Sequence, residues 1–154
     1  MSITAVLLLL FFSAMPFVEA RYAIPPAIAS GEFTAFEAFA IGFTGNVIPV
    51  VFLLLLLDPV SAYLSSRSGL FERFFTWLFT RTRRHTERFE RYGALALMPF
   101  VAVPLPVTGA WTACAAAFVF GIRFRYALPT IAAGILIAAL ITTLGTIGVI
   151  RGLP

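Results

Sequence analysis

Residues Ala127–Ile150 read ALPTIAAGILIAALITTLGTIGVI, a run of 24 residues without a charge. A helix needs about 20 mostly apolar residues to cross the hydrocarbon core of a bilayer, so this stretch is long enough to span. The bias extends outward from it. The chain has 154 residues, 60% hydrophobic and 12% charged, whereas soluble domains hold roughly 45–50% apolar and about 25% charged residues. Its mean hydropathy is +0.98. Too little polar surface exists to cover a water-exposed globule, so the expected fold is an all-α integral membrane domain. The single cysteine, Cys114, excludes an internal disulfide framework and a Cys-rich metal site.

A second run, Phe36–Leu57, is also long enough to span; Glu37 stands at its start, Asn46 and Pro49 interrupt it, and Asp58-Pro59 is expected to end it. Two further apolar stretches are broken. Ile3–Val18 is short and contains Pro16, and Ala94–Ile122 is split by Pro104-Leu105-Pro106. The first resembles a signal segment followed by Val18-Glu19-Ala20, but no basic residue precedes it, and a retained limb is expected.

Met15-Pro16-Phe17-Val18 recurs as Met98-Pro99-Phe100-Val101. Ser30-Gly31-Glu32-Phe33-Thr34-Ala35 lines up with Thr108-Gly109-Ala110-Trp111-Thr112-Ala113, each preceded by prolines, Pro25-Pro26 and Pro104 with Pro106. Each half then ends in a span with an early proline, Pro49 or Pro129. The sequence thus reads as repeat one (1–63), a connector (64–91) and repeat two (92–154), each repeat a broken-helix hairpin followed by a transmembrane helix. If each hairpin returns to the side it entered, each repeat crosses once and the two are inverted. Limbs that are short complete spans are the rival reading; hairpins are preferred because lipid tolerates irregular backbone at depth only where protein or a cavity satisfies it.

Every cation is arginine, and the whole net charge of +4 resides in the connector, with Arg67, Arg73, Arg81, Arg83, Arg84, Arg88 and Arg91 against Glu72, Glu87 and Glu90. Short arginine-rich loops stay cytoplasmic, so the connector is expected there in a multi-pass plasma-membrane protein. Leu70, Phe71, Phe74, Phe75 and Leu78 recur at helical spacing, as in an amphipathic helix lying on anionic lipid through Arg73, Arg81, Arg83, Arg84, Arg88 and Arg91. Charge alone does not make a nucleic-acid interface, and none is expected.

Ionisable groups within membrane segments usually mark a proton or substrate path. Glu19 and Arg21 are expected in the break of the first hairpin, Glu32 at the start of its second limb, and Glu37 deeper in that limb or, if it is short, near the outer surface. The rival reading is mutual neutralisation of Glu19 and Arg21. Asn46 with Pro49 is expected either to kink the second run beside the cavity or to make a helix-packing hydrogen bond, and Pro104, Pro106, Thr108 and Gly109 to line the break of the second hairpin, whose amides suit an anionic group, with Trp111 there as packing or as a ligand contact. His85, the only histidine, lies in the connector, and no phosphate loop, metal-ligand cluster or Ser/His/Asp set exists, so neither an enzyme nor a cofactor is expected. Gly134, Ala138, Thr142 and Thr146 form a small-residue stripe that permits a homodimer.

The strings Pro16-Phe17-Val18-Glu19-Ala20-Arg21-Tyr22-Ala23-Ile24-Pro25, Gly45-Asn46, Pro49-Val50, Arg91-Tyr92-Gly93 and Pro104-Leu105-Pro106-Val107-Thr108-Gly109-Ala110-Trp111-Thr112 resemble the small multi-drug export protein family, over almost the whole chain. The pattern Glu19, Pro25-Pro26, Gly31-Glu32 resembles, more distantly, the DedA or SNARE-associated (VTT) superfamily. The wider resemblance implies two opposed re-entrant hairpins and movement of lipid or lipid-linked carriers, in some members with protons. DedA proteins carry arginines in the second hairpin, and Met98 to Trp111 has none. The function expected on these grounds is a proton-linked transporter or flippase of amphipathic or lipid-linked anions, with membrane lipids as partners, Glu19 and Glu32 carrying protons and Arg21 the counter-charge. Export of hydrophobic cations, or lipid organisation without transport, are the alternatives.

Overall fold

The computed structural model describes residues 2–67, 69–82, 87–103 and 109–152, without the side chains at 64, 65, 71, 75, 79, 81, 82 and 87–91. Helices make up most of the described residues, and no strand is found among them. They are α1 (Ile3–Ala14), α2 (Glu19–Ala29), α3 (Ala35–Arg67), α4 (Gly69–Thr82), α5 (Glu87–Ala102), α6 (Ala110–Phe120) and α7 (Phe124–Gly152).

Helices α3 and α7 carry the two stretches apolar enough to cross a membrane, Ala35–Tyr63 and Phe124–Gly152, and only 22% and 28% of their most apolar windows are buried within the protein. A core helix of a soluble protein would be mostly buried. Here the uncovered faces present large apolar side chains, among them Phe52, Leu56, Leu144 and Val149, and such a surface is stable only against lipid. The chain is a membrane protein.

Local chemistry sets the helix ends. Ser2 caps α1, its Oγ accepting from the Ala5 amide at 3.1 Å. α1 stops because Pro16 disfavours the helical region for Met15, which is extended at φ −71°, ψ 143°. Gly31, at φ +74°, turns the chain after α2, a left-handed position that suits glycine. Thr34 then opens α3: its Oγ1 accepts from the Glu37 amide at 3.3 Å while Glu37 Oε2 accepts from the Thr34 amide at 2.8 Å, a reciprocal capping box.

Several sequence expectations change. Asp58-Pro59 does not end the first long helix, which continues to Arg67, and Pro25-Pro26 lie inside α2. Prolines are tolerated inside membrane helices where neighbouring helices and side chains satisfy the freed backbone groups. The proposed boundaries at 63 and 92 therefore fall inside α3 and α5. The recurring strings occupy different places in the two halves: Met15–Val18 is the turn after α1, whereas Met98–Val101 is the last turn of α5; Ser30-Gly31 follows α2, whereas Gly109 precedes α6. Both halves do run short helix, short helix, long helix. Contacts are reciprocal as well: α1 packs on α3 as α5 packs on α7, and α2 meets α7 as α6 meets α3.

Glycines set the closest of these approaches. A Cβ on Gly45 of α3 would lie 2.8 Å from the Leu10 carbonyl oxygen of α1, and one on Gly134 of α7 would lie 2.8 Å from the Met98 carbonyl oxygen of α5. The stripe on α7 is thus used inside the chain at Gly134 and Ala138, both buried, with Thr142 and Thr146 half-buried below them. Gly45→Ala and Gly134→Ala are each expected to destabilise the protein by about 1–3 kcal/mol through overpacking. The control is Gly145→Ala, where a Cβ meets nothing within 4 Å. Thermal unfolding in detergent checks this; equal melting temperatures for all three variants would refute the close packing.

Candidate functional site

Among the described residues only Glu19 and Arg21 are both charged and buried, at 4% and 7% exposure. The sequence places them in a helix break; the structure places them in the first turn of α2, just after the Met15–Val18 turn. Glu19 has φ +49°, the only positive value among described non-glycine residues. Such a backbone costs about 1–3 kcal/mol and persists only where its surroundings hold it.

The surroundings are the ends of two other helices. Glu19 Oε1 accepts from the Ala110 amide at 2.9 Å, and the Trp111 amide and Asn46 side chain also face the carboxylate. Ala110 is the first residue of α6, so the anion sits on that helix's positive end. Arg21 Nε lies 3.4 Å from Glu19 Oε2. The same guanidinium donates to the carbonyl oxygens of Val101 at 3.1 Å and Val103 at 3.4 Å. Those carbonyls belong to the end of α5, where the backbone is negative and short of donors. One ion pair from the first half therefore spans the break of the second, each charge against the helix end of opposite sign.

Gly109 makes room for it, since a Cβ there would overlap the Glu19 carboxylate, 2.8 Å from its Cδ. Asn46 is buried at 2% exposure on α3, and its Oδ1 has no hydrogen-bond partner. Trp111 is half-buried and its indole N–H is likewise unpartnered. The structure brings Glu19, Arg21, Asn46, Gly109 and Trp111 together. Glu32 and Glu37 are not among them. Glu32 is exposed in the α2–α3 connection rather than opening a second limb, which begins instead at Glu19, and Glu37 serves the capping box. The Thr34-x-x-Glu37 spacing was the signal for that cap. Pro104, Pro106, Thr108, Arg83 and Arg84 lie outside the described residues, as do the side chains of Arg81, Arg88 and Arg91; Arg73 is exposed on α4. Ser13, fully buried on α1, carries a hydroxyl in the middle of an apolar run, the one signal the sequence offers for it.

The family described as "Putative small multi-drug export protein" matches residues 19–141, from the buried glutamate to the middle of α7. The chain belongs to that family. No curated protein and no solved structure matches the chain. The matched span contains Glu19, Arg21, Asn46, Gly109 and Trp111, so the buried site lies wholly within the family's own segment.

Leaving one member of a buried pair without its partner is expected to cost about 3–5 kcal/mol. Arg21→Met should therefore lower the unfolding free energy by about that much, whereas Glu19→Gln with Arg21→Met should lose much less than the two single losses added together. A denaturation cycle over the four proteins measures the coupling; strict additivity would show that the pair does not hold the break.

Proposed function

We propose that the protein exports small amphipathic cations across the plasma membrane, linked to protons through Glu19. The observation that carries this reading is a groove between α1 and α2. It has a volume of about 520 Å³, is walled by apolar side chains such as Leu8, Leu9, Phe12 and Ala23, and has Tyr22, Ser30 and Glu32 among its lining. That volume falls in the usual range for small-ligand sites, which are apolar with a few placed polar groups. Glu32 and Ala5 line the groove with Phe12 and Val18, the latter two beside the turn that joins α1 to α2. An apolar body fits the groove with its positive charge at Glu32, and the exposed Tyr22 ring adds an attractive face for a cation.

Anionic, lipid-linked substrates would need Arg21 as receptor, and its guanidinium is already engaged by Glu19 and two carbonyls. The cation reading is therefore preferred. The family's description as an export protein supports transport in general.

The architecture proposed for this activity is two inverted repeats with opposed re-entrant hairpins, the plan implied by the resemblance to DedA proteins. Supporting it, α1, α2 and α6 have 12, 11 and 11 residues, or about 16–18 Å at 1.5 Å per residue, against a hydrocarbon core of about 30 Å. The tips of the two hairpins also meet, through Glu19 on Ala110 and Arg21 on Val101 and Val103. In this scheme a proton on Glu19 removes the charge that holds α6 and Arg21, freeing the tips to move.

Ethidium binding to the purified protein, read by fluorescence, and ethidium transport into liposomes under a pH gradient test the proposal. Glu32→Gln should weaken binding about five-fold, as for one partly exposed ion pair of about 1 kcal/mol. Glu19→Gln should bind ethidium but not respond to the gradient. Ethidium binding that is undetectable, or unchanged by Glu32→Gln, would reject the cation reading.

A further inference from the structure

Two polar side chains deep in the protein lack partners on the side of Glu19 that faces α1 and α3. Ser13 Oγ and Asn46 Oδ1 are buried and neither has a hydrogen bond. Hydroxyls in apolar helices normally bond back to a carbonyl of their own helix, as Thr44, Thr130, Thr142 and Thr146 do here at 2.8–2.9 Å. Ser13 does not. Its hydroxyl is turned toward α3, where a Cβ at Gly42 would lie 3.6 Å from Ser13 Oγ and one at Gly45 would lie 3.0 Å from Ser13 Cβ. Asn46, the next residue along, reaches the Glu19 carboxylate. Pro49 has no N–H, which deprives the Gly45 carbonyl of its donor four residues ahead. Two unpartnered side-chain oxygens, on α1 and α3, therefore lie on the way to Glu19, and Pro49 withdraws a helical donor beside them.

Orphaned polar groups in apolar surroundings are costly, so something with donors is expected among them. Glu19 and Arg21 together are neutral, and a metal cation would add an uncompensated charge beside the guanidinium. Water supplies two donors and no charge. We propose that ordered water bridges Ser13 and Asn46, and is the route by which Glu19 exchanges its proton.

The waters donate to Asn46 Oδ1, and the Ser13 hydroxyl both donates to and accepts from them. A proton entering the chain passes from water to water, each accepting one and releasing one, and ends on a carboxylate oxygen of Glu19. Among the described residues the titratable groups that face Glu19 are Arg21 on α2 and the Cys114 thiol on α6; α3 presents the Asn46 amide. The role in proton exchange rests on the proposed proton linkage, whereas the presence of water does not.

Cys114 is fully buried and within electrostatic reach of Glu19, which makes it a reporter. Radiolysis of trapped water in the detergent-solubilised full chain should oxidise Cys114, followed by mass spectrometry, several-fold faster than in a Ser13→Ala, Asn46→Leu variant whose apolar side chains exclude the water. Ser13→Ala alone, a small change that keeps the packing, should melt at or below the wild-type temperature because it removes a partner of bound water. A dry site gives the opposite result: Cys114 oxidation that is slow in the wild type or unchanged in the double variant, or a Ser13→Ala protein more stable than the wild type, overturns the proposal. Water seen in this way together with a Glu19→Gln protein that still responds to a pH gradient would reject the transport mechanism and leave the hydrated site standing.

Discussion

Two charges in apolar surroundings must find compensation, and in this protein they find it at the broken ends of a helix pair. Breaking a helix in an apolar medium leaves donors at one end and acceptors at the other without water to satisfy them. The Glu19–Arg21 pair brings the opposite charge to each: the carboxylate meets the amide of Ala110, and the guanidinium meets the carbonyls of Val101 and Val103. In apolar surroundings neither the helix ends nor the ion pair would be satisfied alone. Together they fix where α2 sits relative to α5 and α6.

The strained backbone of Glu19, at φ +49°, follows from this arrangement. The carboxylate has to leave the first turn of α2 in a direction that an ordinary helical residue would not give, and the bonds at the end of α6 hold it there. Gly109 has no side chain for the matching reason, because the carboxylate occupies the space a Cβ would need. Glycines repeat this theme where α3 meets α1 and α7 meets α5, each at a backbone carbonyl. Close backbone approach is the usual way helices associate in lipid, where apolar side chains gain little from leaving an equally apolar solvent.

The placement of polar groups separates two kinds of site. Around Glu19 every charge has a partner within the protein, which suits a switch or a strut more than a receptor. At Glu32 the carboxylate is exposed and lines an apolar groove, the place proposed for the substrate. In the proposed export the groove recognises the substrate and the buried pair changes state.

Hydropathy and charge spacing by themselves determined that this is a helical membrane protein, that Phe36–Leu57 and Ala127–Ile150 lie in its two long helices, and that Glu19, Arg21, Asn46, Gly109 and Trp111 deserved notice as polar or irregular residues in apolar stretches. These are local properties, readable because lipid punishes charge residue by residue. The prolines misled, since Pro25-Pro26 and Pro59 sit inside helices whose neighbours hold them, and the repeated tetrapeptide fell at unlike places in the two halves. Only the tertiary structure decided that Glu19 and Arg21 serve helix ends some 80 to 90 residues away in the chain. Partners so distant in sequence leave no periodic trace, because what joins them is the packing of α2 against the second half and not any spacing along the chain.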